Sequence, residues 1–464
     1  MRIATSSIYN SGVFSMNNRQ ADLYKLQNQL STGRRILTPA DDPVAAARSL
    51  DLSQATQVNE QYIDNVKYAN STLALTEDNL QQVTAVIQDI QELAVQSGNP
   101  ALTSSEKKML ESDIRGKYQQ LIGLANTTDG NGLYLFSGYK GDTKPFNEQS
   151  YGNVRYDGDQ GQRSVQVSPS RQIPVSDSGA DVFVKIKTGN GTFTTGTGGN
   201  AAGGANQGTG IVSPGVVSDP VKWANANNND TYRVQFHVVP DPTDPTKTVT
   251  RYDIIDNDTN SANYNRSLID GYDYTNDVPA GGRTDGAGNP NAYPRSYTAG
   301  GDITFAQQPG ETSALYPNWD FGGKISVDGV PKDGDSFKLE GSRDQDLFST
   351  IGDFAAALTN YADNSTSGAD FQNRLNATLS NLNNALSNVL TVQANVGSRM
   401  KEGDSVQTTT EDLNVQFKTT LSKLTDLDYV KAISDFSVTQ TYLDAARQSF
   451  SKVQGLSLFQ YIGG

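Results

Sequence analysis

His237 is the single histidine of a 464-residue chain that contains no cysteine. These two facts remove most of the usual apparatus of catalysis. No Ser-His-Asp triad can form away from His237, and no disulfide, thiolate nucleophile, thiolate metal site or histidine-rich metal set is available. His237 itself lies in Tyr232-Arg233-Val234-Gln235-Phe236-His237-Val238, a run with strand periodicity, where a structural or surface role is expected. Gly196, Gly198, Gly199, Gly203 and Gly204 give a superficial phosphate-loop look, but no strand leads directly into them, no helix follows, and no Lys-Ser or Lys-Thr pair is placed as a P-loop requires. Carboxylates at Asp253, Asp256 and Asp258, and at Asp333 and Asp335, offer oxygen ligands of the kind calcium takes. Their spacing is not that of an EF-hand, and Asp recurs in β turns for its own hydrogen bonding. Nothing favours a glycosidase carboxylate pair. The chemistry points away from an enzyme and calls for no cofactor or metal.

The elements around these residues divide into three regimes. Residues 1–140 and 344–464 are rich in Ala, Leu, Gln, Asn and Ser at helical spacing, whereas 141–343 turns rich in Gly, Asp, Asn, Pro and Tyr. The middle therefore reads as an insertion between two halves of one helical body. Tyr62, Val66, Ala69, Leu73, Thr76, Leu80, Val83, Ile87, Ile90 and Ala94 alternate by four and three, the seam of a coiled coil. Asp42 suits the cap and Pro43 the first turn; Ser97, Gly98, Asn99 and Pro100 stop the helix, which would be about 80 Å long at roughly 1.5 Å per residue. A second helix starts at Thr103 or Ser104, with Glu106 completing a capping box, and carries Leu110, Ile114, Tyr118, Leu121 and Ala125 on one face. The partner seam runs through Leu375, Leu379, Leu382, Leu386, Val389, Gln393, Val396 and Met400, with Gln393 its one polar position.

In the middle, strand-like runs cover Val182–Ile186, Tyr232–Val238, Arg251–Ile255, Lys324–Val327 and Ser336–Leu339, which suggests a small β domain of sandwich type. Nine glycines between Gly189 and Gly210 mark that stretch as a mobile loop rather than a packed element. The fold class is α+β: an elongated, nested helical bundle and coiled coil made by the N- and C-terminal segments, with an inserted, mainly-β outer domain. Its parts are residues 1–42 with 405–464 as a terminal coiled-coil assembly domain, 43–165 with 344–404 as a helical bundle with a β-hairpin, and 166–343 as the variable outer domain.

The two ends carry stripes of their own. Met16, Leu23, Leu26 and Leu30 define one; Val438, Tyr442, Ala445, Ser449, Val453 and Leu456 define the other, with Leu458 and Phe459 beyond. No domain of the chain is free to cover these stripes fully, and isolated helices of this kind are marginal in water. Both ends are expected to order on assembly, and Met16, Leu23, Leu26, Leu30, Val438, Tyr442, Val453, Leu456, Leu458 and Phe459 are the expected interface. A net charge of −14 works against nucleic acid and anionic lipid as partners. Residues 1–12 lack the apolar run of a cleaved signal, and no later segment reaches membrane-spanning length. The sequence reads as cytoplasmic or exported by a route without a removable signal.

Leu30-Ser31-Thr32-Gly33-Arg34-Arg35-Ile36 followed by Pro39-Ala40-Asp41-Asp42-Pro43 resembles the N-terminal signature of the bacterial flagellin superfamily. Met1-Arg2-Ile3, the segment from Ala125 to Tyr139 and the ending Gln454-Gly455-Leu456-Ser457-Leu458-Phe459-Gln460 resemble the hook-associated members of that superfamily. About half the chain is covered, with specific matches at the ends and weak ones in the middle. The resemblance implies a non-enzymatic structural protein of the flagellum that connects hook to filament and templates flagellin assembly. It further implies unfolded export through the flagellar type III apparatus, a cytoplasmic export chaperone, assembly as a ring of copies of itself, and contact with hook-associated protein 1 and flagellin. The location implied is extracellular, at the hook–filament junction. Two other readings remain open: a flagellin-type filament subunit, or a stalked adhesin whose β domain binds carbohydrate. On the residues alone, Asp129-Gly130 and Asn131-Gly132 fit a tight turn and hairpin between Asn126 and Tyr139.

Overall fold

The structure, a computed structural model, describes the backbone of residues 5–241, 243–276, 295–311 and 317–462, and their side chains except at 5, 6, 8 and 453–462. Three helices open the chain: α1 (Thr5–Thr32), α2 (Pro43–Ser97) and α3 (Ser104–Ala125). Two hairpins follow, β1 (Phe146–Ser150) with β2 (Asn153–Tyr156), and β3 (Ser164–Ser168) with β4 (Arg171–Pro174). After a π-helical turn at Ala180–Val184 come β5 (Ile186–Lys187), β6 (Phe193–Asn200), β7 (Ile211–Val212), β8 (Val216–Val217) and the short α4 (Pro220–Trp223). The strands β9 (Tyr232–Pro240), β10 (Thr248–Asp256), β11 (Arg295–Ser296), β12 (Asp302–Ala306), β13 (Asp320–Asp328), β14 (Asp335–Gly341) and β15 (Asp344–Gln345) complete the insert. The chain ends on α5 (Leu347–Thr359), α6 (Ser365–Thr425) and α7 (Tyr429–Ile462).

These elements form two compact units, one of residues 1–68, 166–172 and 402–464, the other of 69–165 and 173–401. In the second, the coiled-coil seam of α2 is sealed: Ala69, Leu73, Thr76, Leu80, Val83, Ile87, Ile90 and Ala94 are all buried. On α6, Leu375, Leu382, Val389 and Val396 are buried, with Leu379, Leu386, Gln393 and Met400 half-buried between them. Gln91 donates to Asn383 Oδ1 at 2.9 Å across the two helices. The start of α3 is the expected capping box, Thr103 accepting from the Glu106 amide while the Glu106 carboxylate accepts from Thr103 N–H. All five apolar residues read on its face are buried. Asp129 Oδ1 accepts from the amides of Asn131 and Leu133, both at 2.9 Å, and Gly132 takes φ +84°, closing the tight turn expected there.

An aromatic knot joins α3 to α5. Phe146, Phe183 and Phe348 lie within 6.0 Å of one another, Phe136 stands edge-on to Phe183 at 5.3 Å, and Tyr118 edge-on to Phe348 at 6.1 Å. The β domain has a separate core. A five-stranded antiparallel sheet in the order β11-β10-β9-β14-β6 supplies Phe193, Val234, Phe236, Ile254 and Phe337; a smaller sheet, β12-β13-β7 with β8 beside β13, supplies Ile303, Phe305, Phe321, Ile325 and Val327. Residues of both sheets share one cluster, so the domain is a sandwich, and β13 buries every second residue as a one-faced strand must.

Two readings of the insert are corrected. Val182–Val184 is π-helical rather than extended, and of that run only Ile186 pairs as a strand, together with Lys187 just beyond it, with β15. Apolar runs this short do not by themselves separate strand from helix. The glycine-rich stretch is packed for much of its length, because β6 pairs residue by residue with β14 through a bulge between Ser336 and Phe337. Glycine is needed there: a Cβ on Gly198 would lie 2.5 Å from Ser336 Oγ, and Gly199 takes φ +86°.

Candidate assembly site

The signature between Leu30 and Pro43 builds a cross-link between two helix-to-helix corners. Gly33 ends α1 with φ +70°, its amide donating to Gln29 O at 2.8 Å, the left-handed stop that glycine supplies. Arg34 then forms an antiparallel β-bridge with Asp426, which lies between α6 and α7. Arg35 N–H donates to Thr425 O at 2.7 Å and Leu427 N–H to Gly33 O at 2.9 Å. The Arg35 guanidinium donates to Leu424 O at 2.8 Å, covering a carbonyl that the end of α6 leaves unsatisfied, and reaches Asp42 at 3.4 Å. Asp42 also accepts from Ala45 N–H at 3.0 Å, the expected cap of α2. That amide, with Arg35 behind it, holds the Asp42 carboxyl below its ordinary range.

Asp41 locks the same corner. Lys25 donates to its Oδ1 at 2.7 Å, and Oδ2 accepts from the amides of Leu37 and Thr38 at 3.1 and 2.9 Å. The Lys25 ammonium and the Thr38 amide hold this carboxyl far below the usual carboxylate range. Four residues of the signature, Gly33, Arg35, Asp41 and Asp42, thus each have a defined task in turning the chain.

Beyond this corner, α1 packs along α7. The contact on α7 is a heptad seam of Ala432, Phe436, Thr439, Leu443, Ala446 and Phe450; Ala432 and Leu443 are buried and the others half-buried. Phe450 meets Tyr9 at 5.2 Å between ring centroids. Of the expected interface residues, Met16, Leu23, Leu26 and Leu30 are half-buried on α1. Val438 and Tyr442 lie to one side, 44% and 56% exposed, on a stripe turned roughly 100° about the helix axis from the covered seam at 3.6 residues per turn. Arg19 lies 6.0 Å from the Tyr442 ring. Val453, Leu456, Leu458 and Phe459 lie on the last turns of α7, but their side chains, like Met1–Ile3, fall outside the described residues. Sequence reasoning missed the covered seam because α7 carries two interleaved heptads, and Thr439 and Ala446 dilute the one that is used.

The pair leaves much apolar surface in water. Phe14 and Tyr24 on α1, and Val430 and Ile433 on α7, are more than half exposed along with Tyr442. In the same unit, α2 and α6 leave a groove of about 600 Å³ lined by Val58, Tyr62, Leu413 and Phe417, with Pro169 of the β3–β4 turn at its edge. Lys418 with Glu60 at 2.7 Å, and Asn59 donating to Thr410 O at 2.7 Å, hold the two helices together beside it.

The residues weighed for chemistry are occupied otherwise. His237 is buried in β9, with Nδ1 3.6 Å from Asp333 Oδ1. Asp253 accepts from the hydroxyls of Ser267 and Tyr274, each at 2.7 Å, and Asp256 accepts from Asn229 at 2.8 Å and Ser261 at 2.7 Å. Asp258 accepts from the amide of Asn260 at 2.9 Å. Asp335 accepts from the amides of Gln207, Gly208 and Lys332 at 2.7, 2.7 and 2.9 Å. Each carboxylate anchors a loop, and among the described residues no group of three or more His, Asp and Glu converges as metal ligands do. No described helix is long and apolar enough to cross a membrane.

Residues 3–141 match the family model of the bacterial flagellin N-terminal helical region. Over 186 residues, 40% of this chain, the sequence is 39% identical to flagellar hook-associated protein 3 of Salmonella typhimurium, and the Escherichia coli protein of the same name matches equally. The match spans 58% of the length of those curated relatives. Hook-associated protein 3 from Legionella pneumophila superposes with a TM-score of 0.64 at 26% identity, over 80% of this chain and 98% of that one. The Xanthomonas campestris protein FlgL superposes at 0.60 and 26%, over 80% and 99%. The relatives are structural flagellar proteins rather than enzymes. Terminal motifs, family model and solved folds agree: residues 3–141 match the flagellin-type N-terminal helical region, and the chain has the fold of hook-associated protein 3, helical N- and C-terminal segments packed together with an inserted, mainly-β domain.

Proposed function

We propose that this protein is a structural part of the bacterial flagellum that joins hook to filament and seats the first flagellin subunits through its terminal helices. One observation carries the reading. α7 spends one heptad seam on α1 and leaves Val438 and Tyr442 in water on a second face, while Val430 and Ile433 are exposed on the other side of the covered seam. A helix with an apolar face beyond the one its partner covers is built for a second partner. The contact is heterologous, the stripe of one copy meeting a different surface of the next, which builds rings and helical arrays rather than closed dimers. A solved relative from Legionella pneumophila is described as the flagellar junction protein, which supports the placement.

In this reading the partners are further copies of the chain in a ring, hook-associated protein 1 on the hook side, flagellin on the filament side, and an export chaperone before assembly. Residues 1–42 with 405–464 form the terminal coiled-coil assembly domain, 43–165 with 344–404 the helical bundle with its β-hairpin, and 166–343 the variable outer domain, of a protein located outside the cell in the flagellum. Met16, Leu23, Leu26 and Leu30 join the α1–α7 pair, and Val438, Tyr442, Val453, Leu456, Leu458 and Phe459 meet neighbours. The test is electron microscopy of cells lacking the protein. Bare hooks with unpolymerised flagellin in the medium are expected; intact filaments would overturn the junction role. If the protein instead dominates sheared filaments and its loss removes the filament material itself, it is the filament subunit.

A further inference from the structure

The face of α6 opposite its apolar seam carries Asn373, Asn381, Asn384 and Asn388, which fall within a stripe roughly 80° wide at 3.6 residues per turn. Each reaches main chain at the entry to the β domain. Asn373 donates to Gly210 O at 3.0 Å and accepts from Val212 N–H at 2.7 Å, so its amide takes the place a neighbouring strand would occupy beside residue 211. Asn381 accepts from Gly189 N–H at 2.8 Å, and Asn384 donates to Lys187 O at 2.6 Å and Gly189 O at 2.9 Å. Asn388 donates to Asp181 O and Val182 O, at 2.7 and 3.0 Å, two carbonyls of the π-helical turn. One of these asparagines also touches a side chain, Asn381 donating to Gln345 Oε1 at 3.4 Å. The β sandwich meanwhile has its own apolar cluster, and none of the residues in it comes from α6.

We infer that this asparagine stripe is the seat of the β domain: a docking surface on α6 that recognises the domain by its main chain and fixes it without sharing its core. An amide offers a donor and an acceptor, as a peptide group does, and is blind to the side chains of the segment it holds. Lysine or glutamate at these positions would supply only one of the two. The side chains of the held segments are then free to differ, while the register of three backbone stretches on the helix is set.

The test is hydrogen exchange, read by mass spectrometry on the full chain. In N373A/N381A/N384A/N388A, peptides over 187–192 and 209–213 should exchange at least tenfold faster, and trypsin should cut sooner after Lys187, while peptides from β9 and β10 keep the parent's protection. Unchanged exchange at 187–192 and 209–213 would overturn the inference. So would loss of protection in β9 and β10, since the asparagines would then support the domain's own fold. N384D/N388D keeps size and an acceptor but removes the donors, and covers the case in which the quadruple variant fails to fold. It should loosen 181–189 and leave 209–213, which Asn373 holds, as in the parent; parent-like exchange at 181–189 would overturn the assignment.

Discussion

Aspartates at Val438 and Tyr442 separate the assembly contact from the fold of the monomer. Tyr442 is 56% exposed and Val438 44% exposed. An aromatic side chain has roughly 200 Å² to bury, so covering the open part of Tyr442 removes about 110 Å² from water and contributes about 3 kcal/mol at about 25 cal/mol per Å². The open part of Val438 adds about 1 kcal/mol. Losing about 4 kcal/mol weakens association by nearly three orders of magnitude, before any cost of desolvating two carboxylates. Because both side chains lie off the covered seam of α7, with the Arg19 guanidinium 6.0 Å from the Tyr442 ring, purified V438D/Y442D should keep the α1–α7 pair and resist protease like the parent. It should fail, however, to add to hooks in a reconstitution assay or to restore swimming to cells lacking the protein. L443D, on the covered seam, is the control and should free α1 for proteolysis in the monomer. Full incorporation of V438D/Y442D with normal swimming would refute the reasoning. Loss of the α1–α7 pair in that variant would also refute it, because both residues would then belong to the seam.

Lys25→Met should raise the Asp41 carboxyl toward its ordinary value, visible as a shift in its NMR titration. Since the carboxyl is depressed in the folded chain, its stabilisation of the α1–α2 corner is complete above the unfolded value near ~4 and is lost as pH falls through the folded value, so the variant should lose that corner at higher pH than the parent. Lys107 is buried over the rings of Tyr361 and Phe371, 4.5 and 4.1 Å away, and donates to Ser97 O at the end of α2. Burial lowers its pKa, so the unfolded chain binds more protons between the folded value and ~10.4, and parent stability should rise with pH across that window. Lys107→Met should abolish this rise in urea melts at pH 8 and pH 10, and a rise that persists would assign it to another group. Thr103→Ala removes the hydroxyl half of the capping box of α3 and should cost about 1 kcal/mol in the same melts.

The helical half was legible because its code is long and redundant. The α2 seam repeats over ten positions, and the start of α3 is written twice, as a cap and as its reciprocal partner. The insert was legible where apolar and polar residues alternate against a single core, as in β9, β10, β13 and β14. It failed where the deciding partner lies far along the chain. The π-helical turn is held by Asn388, and β6 is a strand because β14 lies beside it. The threonines at 194, 195 and 197 around Phe193 were the available hint, outweighed by glycine. At the terminal site the signature identified the corner without revealing its geometry, because the β-bridge to Asp426 joins residues nearly the whole chain apart.

That bridge ties the directions of the first and last helices to each other. Gly33 and Arg35 leave α1 and meet, through two main-chain hydrogen bonds, the residues that lead into α7. A change in the tilt of either helix must pull on the peptide groups that set the other. The two extremities of the polypeptide behave as paired arms of one yoke, so whatever grips one of them steers both.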